Sequence, residues 1–326
     1  MKKIIAFILL IITFSCEKDD SMSPAEDLDI VAEFRENLSE LNIFKGNLSN
    51  LNINSKVFEY QLITPLFTDY AHKLRLIALP ENTQMQYNGN GTPIFPNNTV
   101  ISKTFYYNLN EQNPALGRKI IETRVLIKRN GIWETGNYKW NEDQTDAILH
   151  PDGSEVPVTW TNEDGVTVST NYKIPANNQC FACHSSYDEI TPLGVRLDLL
   201  NFSPNGINQI EELTANQRIT DVDFDNLISF PRWDDVNNYT LEERARAYLD
   251  VNCAHCHSDG GYCAFPSSLR LNYDIPLEET NIIERKGFII FRTSSDYQEG
   301  LTMPWIGTSM LHDEGVSLML EYLDTL

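Results

Sequence analysis

The spacing of hydrophobic and polar positions changes along the chain. Between residues 30 and 42 the apolar side chains recur at helical intervals, which predicts a short amphipathic helix. The side chains on its apolar face are Ile30, Phe34, Leu38 and Leu41. From about residue 56 to residue 175, runs rich in β-branched and aromatic residues predict strands. Asn130-Gly131 separates two of these runs and predicts a hairpin turn, so this half is expected to be a β-sandwich or β-barrel.

Helical periods replace the strand pattern in the second half of the chain. Residues 207–218 and 240–251 carry apolar positions at helical spacing. Thr240, followed three residues later by Glu243, forms a capping box at the start of the second segment. A last helix is predicted from Asp313 to Leu323. This half is therefore expected to consist of helices joined by long loops.

The first residues predict export from the cytoplasm. Two lysines precede the apolar run Ile4–Ile12, which is too short for a stable membrane span, and Ser15 stands before Cys16. A cysteine directly after the cleavage point indicates lipoprotein processing, in which the thiol is acylated. We expect a signal peptide over residues 1–16, a flexible tether over 17–30, and a lipid anchor at Cys16 in the cell envelope. The anchor would hold the protein at the outer membrane, on its periplasmic or surface-exposed face; an ordinary signal peptide with an incidental cysteine is the alternative.

The net charge and the number of cysteines limit the kinds of partner and of cysteine chemistry that the sequence supports. A formal net charge of −21 disfavours nucleic acid as a partner, because its phosphates would be repelled. Of the six cysteines, Cys16 is assigned to the anchor, and an odd number remains. An odd number of thiols in an oxidising compartment is not a complete disulfide framework. The remaining cysteines are Cys180, Cys183, Cys253, Cys256 and Cys263.

The pattern Cys-x-x-Cys-His occurs twice, at residues 180–184 and 253–257. Two thiols about one helical turn apart suit thioether bonds to the two vinyl groups of one haem, and the adjacent histidine suits the iron. We therefore expect two covalently bound haem c groups. Their thioether anchors would be Cys180, Cys183, Cys253 and Cys256, and their iron ligands His184 and His257.

Two other chemistries use the same residue types. A zinc site would combine the two cysteine pairs, but their separation of about seventy residues exceeds the usual zinc-ribbon spacings. A thioredoxin-like redox pair would need a following βαβ pattern, whereas helices and loops follow here. Both remain alternatives to haem.

Met303 is the candidate sixth ligand of the second haem iron. It lies 46 residues after His257 and precedes the terminal helix, and Met310 is its rival. A thioether ligand stabilises ferrous iron and raises the reduction potential. The order helix, motif, loops, methionine, helix is that of a small class I cytochrome c.

The expected fold class is thus multidomain α+β, with an N-terminal β-rich, sandwich- or barrel-like domain followed by an all-α cytochrome c-like dihaem region. The domain bounds are 31–175 for the helix plus β-rich domain and 176–326 for the dihaem region, divided into 176–238 and 239–326.

The first motif has no comparable ligand nearby. Between His184 and His257 there is no methionine, and His255 is the one histidine. The candidate ligands are His255 itself and, elsewhere in the sequence, His72, Met85, His150 and His312. An absent ligand would leave an open iron position able to bind peroxide, oxygen or another small molecule. Cys263 is expected to be unpaired, and Tyr262, Phe265 or Trp305 could form a wall of the second haem site.

Further segments resemble a known family. They are residues 60–71, Lys73, Arg75, Pro80, residues 122–124, 140–147, 247–257, Met303-Pro304 and residues 312–315. On these segments and the two motifs, the chain from about Phe44 to its end resembles bacterial two-haem c-type cytochromes with a β-rich N-terminal region, and especially members from flavobacteria-like organisms. The resemblance implies two haems and favours Met303 over Met310. It does not supply a reaction.

These features favour an exported, lipid-anchored dihaem c-type cytochrome that transfers electrons between redox partner proteins of the envelope, rather than a catalyst. One alternative is a peroxidase-like enzyme with an open first iron and a His/Met second haem that stores electrons. Another is a binding module in which the β-rich domain grips a polysaccharide or a partner.

Overall fold

The computed structural model describes residues 27–293, 298 and 300–326. The predicted signal peptide, the acylation site Cys16 and most of the predicted tether lie outside these residues, and those predictions stay predictions. Among the described residues, no helix combines the length and the apolar character needed to cross a bilayer.

The N-terminal half is built around one antiparallel sheet. The strands of the chain are β1 (Val57–Glu59), β2 (His72–Ala78), β3 (Met85–Gln86), β4 (Val100–Asn108), β5 (Arg118–Arg129), β6 (Ile132–Trp140), β7 (Ala147–Leu149), β8 (Ser154–Thr161), β9 (Thr167–Ile174), β10 (Ser185–Ser186), β11 (Glu189–Ile190) and β12 (Ile219–Thr220). Six of them pair in the order β1-β2-β4-β5-β6-β7. The β8–β9 hairpin packs on this sheet around Tyr107, Trp160 and Tyr172. β12 pairs in parallel with β3, so the second half of the chain joins the first.

The hairpin predicted at Asn130-Gly131 is confirmed. These residues connect β5 to β6, and Arg129 pairs with Ile132 across the turn. Asn130 has a φ of 51° and Gly131 a φ of 84°. Positive φ at both central residues is the requirement of a type I′ turn, whose twist matches that of the flanking strands.

The helix predicted over residues 30–42 is wrong, because only a 3₁₀ turn, Leu38–Leu41, forms there. The segment instead runs across the sheet. The backbone N–H of Leu149 donates to the carbonyl of Glu36 over 2.8 Å. The Phe34 ring lies so close to Gly136 that a Cβ there would come within 2.4 Å of it. The apolar residues do recur at helical spacing, but they cover a face of the sheet, and these tertiary contacts override the helical preference of a short segment.

Six α-helices occur among the described residues. They are α1 (Asn177–His184), α2 (Leu197–Leu200), α3 (Gln209–Ala215), α4 (Leu241–Leu249), α5 (Ile282–Thr293) and α6 (Asp313–Asp324). The helices predicted over 207–218, 240–251 and 313–323 are confirmed as α3, α4 and α6, with α3 and α4 shorter than predicted. The capping box of α4 is also confirmed: the N–H of Glu243 donates to Thr240 Oγ1 over 3.3 Å, and the N–H of Thr240 donates to the Glu243 carboxylate over 2.8 Å.

The predicted fold class is wrong in its second part, since residues 176–326 do not form an all-α cytochrome c-like region. The helices that the structure describes there are short, and loops and the strand pairs β10–β11 and β3–β12 separate them. Val195, Leu197 and Ile210 share a core with Ile77 and Leu126 of the large sheet. Because the sheet already offers an apolar face, α2 and α3 bury their side chains against it, whereas α4, α5 and α6 share a separate core that includes Leu249, Ile289 and Leu318.

Candidate functional site

The first Cys-x-x-Cys-His motif lies on α1, above one face of the large sheet. Cys180, Cys183 and His184 line a cavity of about 280 Å³, which we call cavity 1. The opposite wall comes from the sheet and includes Lys103 and Arg124. This volume is just below the usual range for small-molecule pockets, about 300–1,000 Å³.

His184 is oriented by its own backbone neighbourhood. The β10–β11 hairpin returns the chain, so the carbonyl of Thr191 lies 2.8 Å from His184 Nδ1. A hydrogen bond at Nδ1 fixes the tautomer and leaves Nε2 available, which is the usual arrangement of a metal-ligating histidine. Burial lowers the pKa of His184 to about 4, and Lys103 adds to this effect. The imidazole is therefore neutral near pH 7, as ligation of a metal requires.

The second motif follows α4 without a break. Its first cysteine, Cys253, belongs to a π-helical turn, Asp250–Ala254, which widens the end of the helix. Cys253, Cys256 and His257 line a second cavity of about 580 Å³, cavity 2. Burial lowers the pKa of His257 to about 4, so its imidazole is also neutral near pH 7.

Met303 lines cavity 2 together with the second motif, although it lies far from that motif in the sequence. Its N–H donates to the carbonyl of Arg292 over 2.8 Å, which ties the methionine loop to the end of α5. Met310 instead packs against the β8–β9 cluster. The rest of the cavity 2 lining is largely apolar, including Leu249, Leu269, Leu271, Ile289 and Met319.

Two of the three aromatic residues predicted to form a wall of the second haem site line cavity 2, and the third does not. Tyr262 and Trp305 line cavity 2 and stack on each other, with ring centroids 5.9 Å apart. Phe265 is fully exposed and does not take part. His312 also lines cavity 2 and stacks on Phe67, with centroids 4.3 Å apart.

The two motifs, distant in sequence, are in direct contact. The Cys256 thiol donates to the carbonyl of Ala182 over 3.2 Å. The N–H of Tyr187 donates to the carbonyl of Gly260 over 2.9 Å. Gly260 has a φ of 80°, and a Cβ there would come within 2.7 Å of the Tyr187 ring. Only glycine suits this position, where backbone conformation and close approach coincide.

At this contact, Cys183, His255 and Cys256 offer one ligand atom each, all within 4.8 Å of one another. The proximity of the two thiols lowers the pKa of Cys183 and raises that of Cys256. Two thiols and an imidazole at this spacing could hold a zinc ion with one open position. Sequence reasoning missed this trio, because its members come from two motifs and no spacing rule connects them.

Most candidates for a sixth ligand at the first motif lie elsewhere. His72 Nε2 is 2.8 Å from Glu111 Oε1, on the exposed side of β2. Met85 is fully buried in the core shared by both halves of the chain. His150 lies outside the lining of either cavity, and His312 lines only cavity 2. Of the five candidates, all in the described part of the chain, His255 alone lines cavity 1, and it lines cavity 2 as well.

No protein-family model, curated protein or solved structure matches this chain. The chemistry of the site therefore rests on its own residues. Each cavity is lined by the two thiols of one motif, with a neutral imidazole directly after the second of them. That donor set fits a covalently attached haem.

Proposed function

We propose that this protein is an electron-transfer protein that carries two covalently bound haem c groups, one in each cavity. The single observation that carries the proposal is that both Cys-x-x-Cys-His motifs line cavities, and that these cavities adjoin at the Cys183–Cys256 contact. A haem supplies one-electron redox chemistry at its iron. The proposal concerns the cofactors and their attachment and does not require a cytochrome c fold.

The proposed roles follow from the side chains. Cys180 and Cys183 would hold one haem, and Cys253 and Cys256 the other. Each thiol adds across a vinyl C=C bond, sulfur to one carbon and hydrogen to the other, so no oxidant or reductant is consumed. His184 would ligate one iron through Nε2, the ring nitrogen that is free of backbone contacts, and the His257 imidazole would ligate the other. Met303 would close the other face of the second iron with its thioether sulfur.

The contact between the motifs supports transfer inside one chain. Phe67, Asn252, His255, Pro304 and Ile306 line both cavities, so a single layer of side chains separates them. Asn252 is held on both sides: its amide donates to the carbonyl of Tyr248 over 3.0 Å, and its oxygen accepts from the N–H of Phe67 over 2.8 Å. A fixed dividing layer keeps two redox centres at a constant separation, which suits electron transfer between them.

We further propose that Cys16 carries a lipid anchor that holds the protein in the cell envelope, where redox partner proteins donate and accept the electrons. The net charge of −21 favours partners with basic docking faces. A membrane-tethered chain meets such partners within a thin layer, which raises their effective concentration.

A second candidate function is zinc binding by Cys183, His255 and Cys256, which the ligand distances favour. The two functions exclude each other, because a thioether sulfur is no longer a thiolate ligand. The deciding experiment is to express the full chain in a host with c-type haem maturation and to measure its intact mass, haem absorbance and zinc content. Two haems per chain and no zinc are expected. One zinc ion and no covalent haem would overturn the haem proposal.

A further inference from the structure

Cavity 1 is walled by a row of like charges. Arg75 on β2 pairs directly with Lys103 on β4, and Lys103 pairs directly with Arg124 on β5. All three side chains line the cavity, and so does Lys73, two residues before Arg75. Like charges directly opposite on neighbouring strands destabilise a sheet, and burial increases the cost. A bound anion would offset this cost.

Two cations that line cavity 1 already have carboxylate partners. Arg124 Nη2 lies 2.6 Å from Glu122 Oε1, and the Glu122 carboxylate is fully buried beside it. Arg196, on the same cavity, contacts Asp198 at 2.7 Å and Asp250 at 2.6 Å. Their charges are therefore balanced by the protein itself.

Among the residues that the structure describes, neither Arg75 nor Lys103 has a carboxylate partner. Arg75 is only 8% exposed, yet within the described part of the chain its side chain makes a single, long hydrogen bond, a 3.5 Å contact from Nη1 to the carbonyl of Lys73, and its Nε makes none. Glu59 attracts Arg75 from a distance without forming an ion pair. Within the described residues, the Lys103 ammonium makes no hydrogen bond or ion pair. Burial, with Arg75 and Arg124 adding to it, lowers the pKa of Lys103 to about 7.

We propose that Arg75 and Lys103 bind the two propionate carboxylates of the haem attached at Cys180 and Cys183. This inference rests on the proposed function. Arg75 is buried and Lys103 is partly buried, and neither has a carboxylate partner among the described residues, whereas the Lys73 ammonium donates to the carbonyl of Leu66 over 2.7 Å. Arg75 and Lys103 line the cavity that also holds the attachment thiols, and a haem brings two carboxylates. A guanidinium binds a carboxylate through paired N–H donors, and an ammonium binds it as a point charge. The sheet thereby becomes the wall that orients the first haem.

The charges would also set the potential of that haem. Cations beside the propionates disfavour the ferric state, which carries one more positive charge than the ferrous state. We expect the double variant R75Q/K103Q to retain two haems per chain, measured by mass and haem absorbance. The midpoint potential of one haem should fall by about 59 mV or more, a tenfold change for a one-electron couple.

Two matched variants accompany this measurement. R75K/K103R keeps both charges and should keep both potentials near those of the wild type. R118Q removes an exposed arginine from β5 of the same sheet and should change neither. Two bound haems with both potentials unchanged in R75Q/K103Q would overturn the propionate assignment and leave the proposed function intact. Absence of the first haem from the wild-type protein would overturn both.

The wild-type protein provides a test that does not depend on a variant folding. Infrared difference spectra of haem labelled with ¹³C at its propionates should show one pair of carboxylates that stays ionised well below the ordinary carboxyl pKa of about 4. Titration of all four propionates near that value would overturn the proposal. Added inorganic phosphate tests for a free anion: a saturable shift of the first haem's potential at constant ionic strength would assign the cations to that anion instead.

Discussion

The Cys256 thiol donates a hydrogen bond to the main-chain carbonyl of Ala182 over 3.2 Å. The contact joins the last thiol of one Cys-x-x-Cys-His motif to the centre of the other. Two sites that the sequence separates widely therefore share one structural unit. The predictions that follow test whether that unit holds two haems, what completes their coordination, and what holds the two halves of the chain together.

Each haem should depend on its own pair of cysteines. We expect C180A/C183A and C253A/C256A each to retain one covalent haem, measured by intact mass and by absorbance of the alkaline pyridine complex. Cys263 lines cavity 2 but lies outside both motifs, so C263A is the matched control and should retain two haems. Zinc binding predicts a different pattern, in which C183A or C256A alone removes the metal and C180A does not.

Met303 should ligate one iron only. We expect M303A to lower the midpoint potential of one haem by about 59 mV or more and to remove the thioether–iron absorption band of the ferric protein. Met310 packs against the β8–β9 cluster instead of cavity 2, so M310A is the control and should keep that band. A band that survives in M303A would show that another side chain ligates the second iron.

The sequence predicted local features of the fold better than its long-range architecture. The Asn130-Gly131 turn and the capping box at Thr240 are local devices, and both are found as predicted. Residues 30–42 carried a helical period, but contacts with the sheet hold them in another form. The all-α expectation failed for a related reason: Val195 and Leu197 bury against strands far away in sequence, and one sequence does not reveal such pairings.

The same distinction between local and long-range features applies to the candidate site. The two Cys-x-x-Cys-His motifs were visible because each is a pattern of five consecutive residues. The row Arg75–Lys103–Arg124 was invisible as a unit, because it depends on the register of three strands. The Cys183, His255 and Cys256 trio likewise depends on how two distant segments meet.

A buried ion-pair network joins the first half of the site to the second. Arg196 contacts both Asp198 and Asp250, and Asp250 also accepts from the N–H of Tyr273 over 3.0 Å. Asp250 is only 5% exposed. We expect R196M to lower the free energy of unfolding by about 3–5 kcal/mol, because it leaves buried carboxylates without a cation. Chemical denaturation measures the change.

Arg232 provides the control for this variant. It forms the same two-residue arginine–aspartate contact with Asp234, at 2.7 Å, but both side chains are exposed. We expect R232M to change the free energy of unfolding by less than about 1 kcal/mol. Equal effects of R196M and R232M would contradict a structural role for the Arg196 network.

Lys103 should make stability depend on pH when the first haem is missing. Its pKa in the folded protein is lowered from 10.5 to about 7, with burial as the largest cause. Between these values the unfolded chain binds a proton that the folded chain does not, so the free energy of unfolding rises with pH. The slope for one proton is at most about 1.4 kcal/mol per pH unit. Lys73, whose pKa is also lowered by burial, adds a slope of the same sign.

We therefore expect C180A/C183A protein to gain stability from about pH 7 towards pH 10.5, measured by denaturation at a series of pH values. Adding K103M should reduce that slope, since methionine fills the same space without a titrating group. In the fully haem-loaded protein, a propionate beside Lys103 should restore its ordinary pKa and remove its part of the slope. A slope that is unaffected by K103M in the C180A/C183A background would show that Lys103 keeps its proton there, and that the cavity itself already compensates its charge.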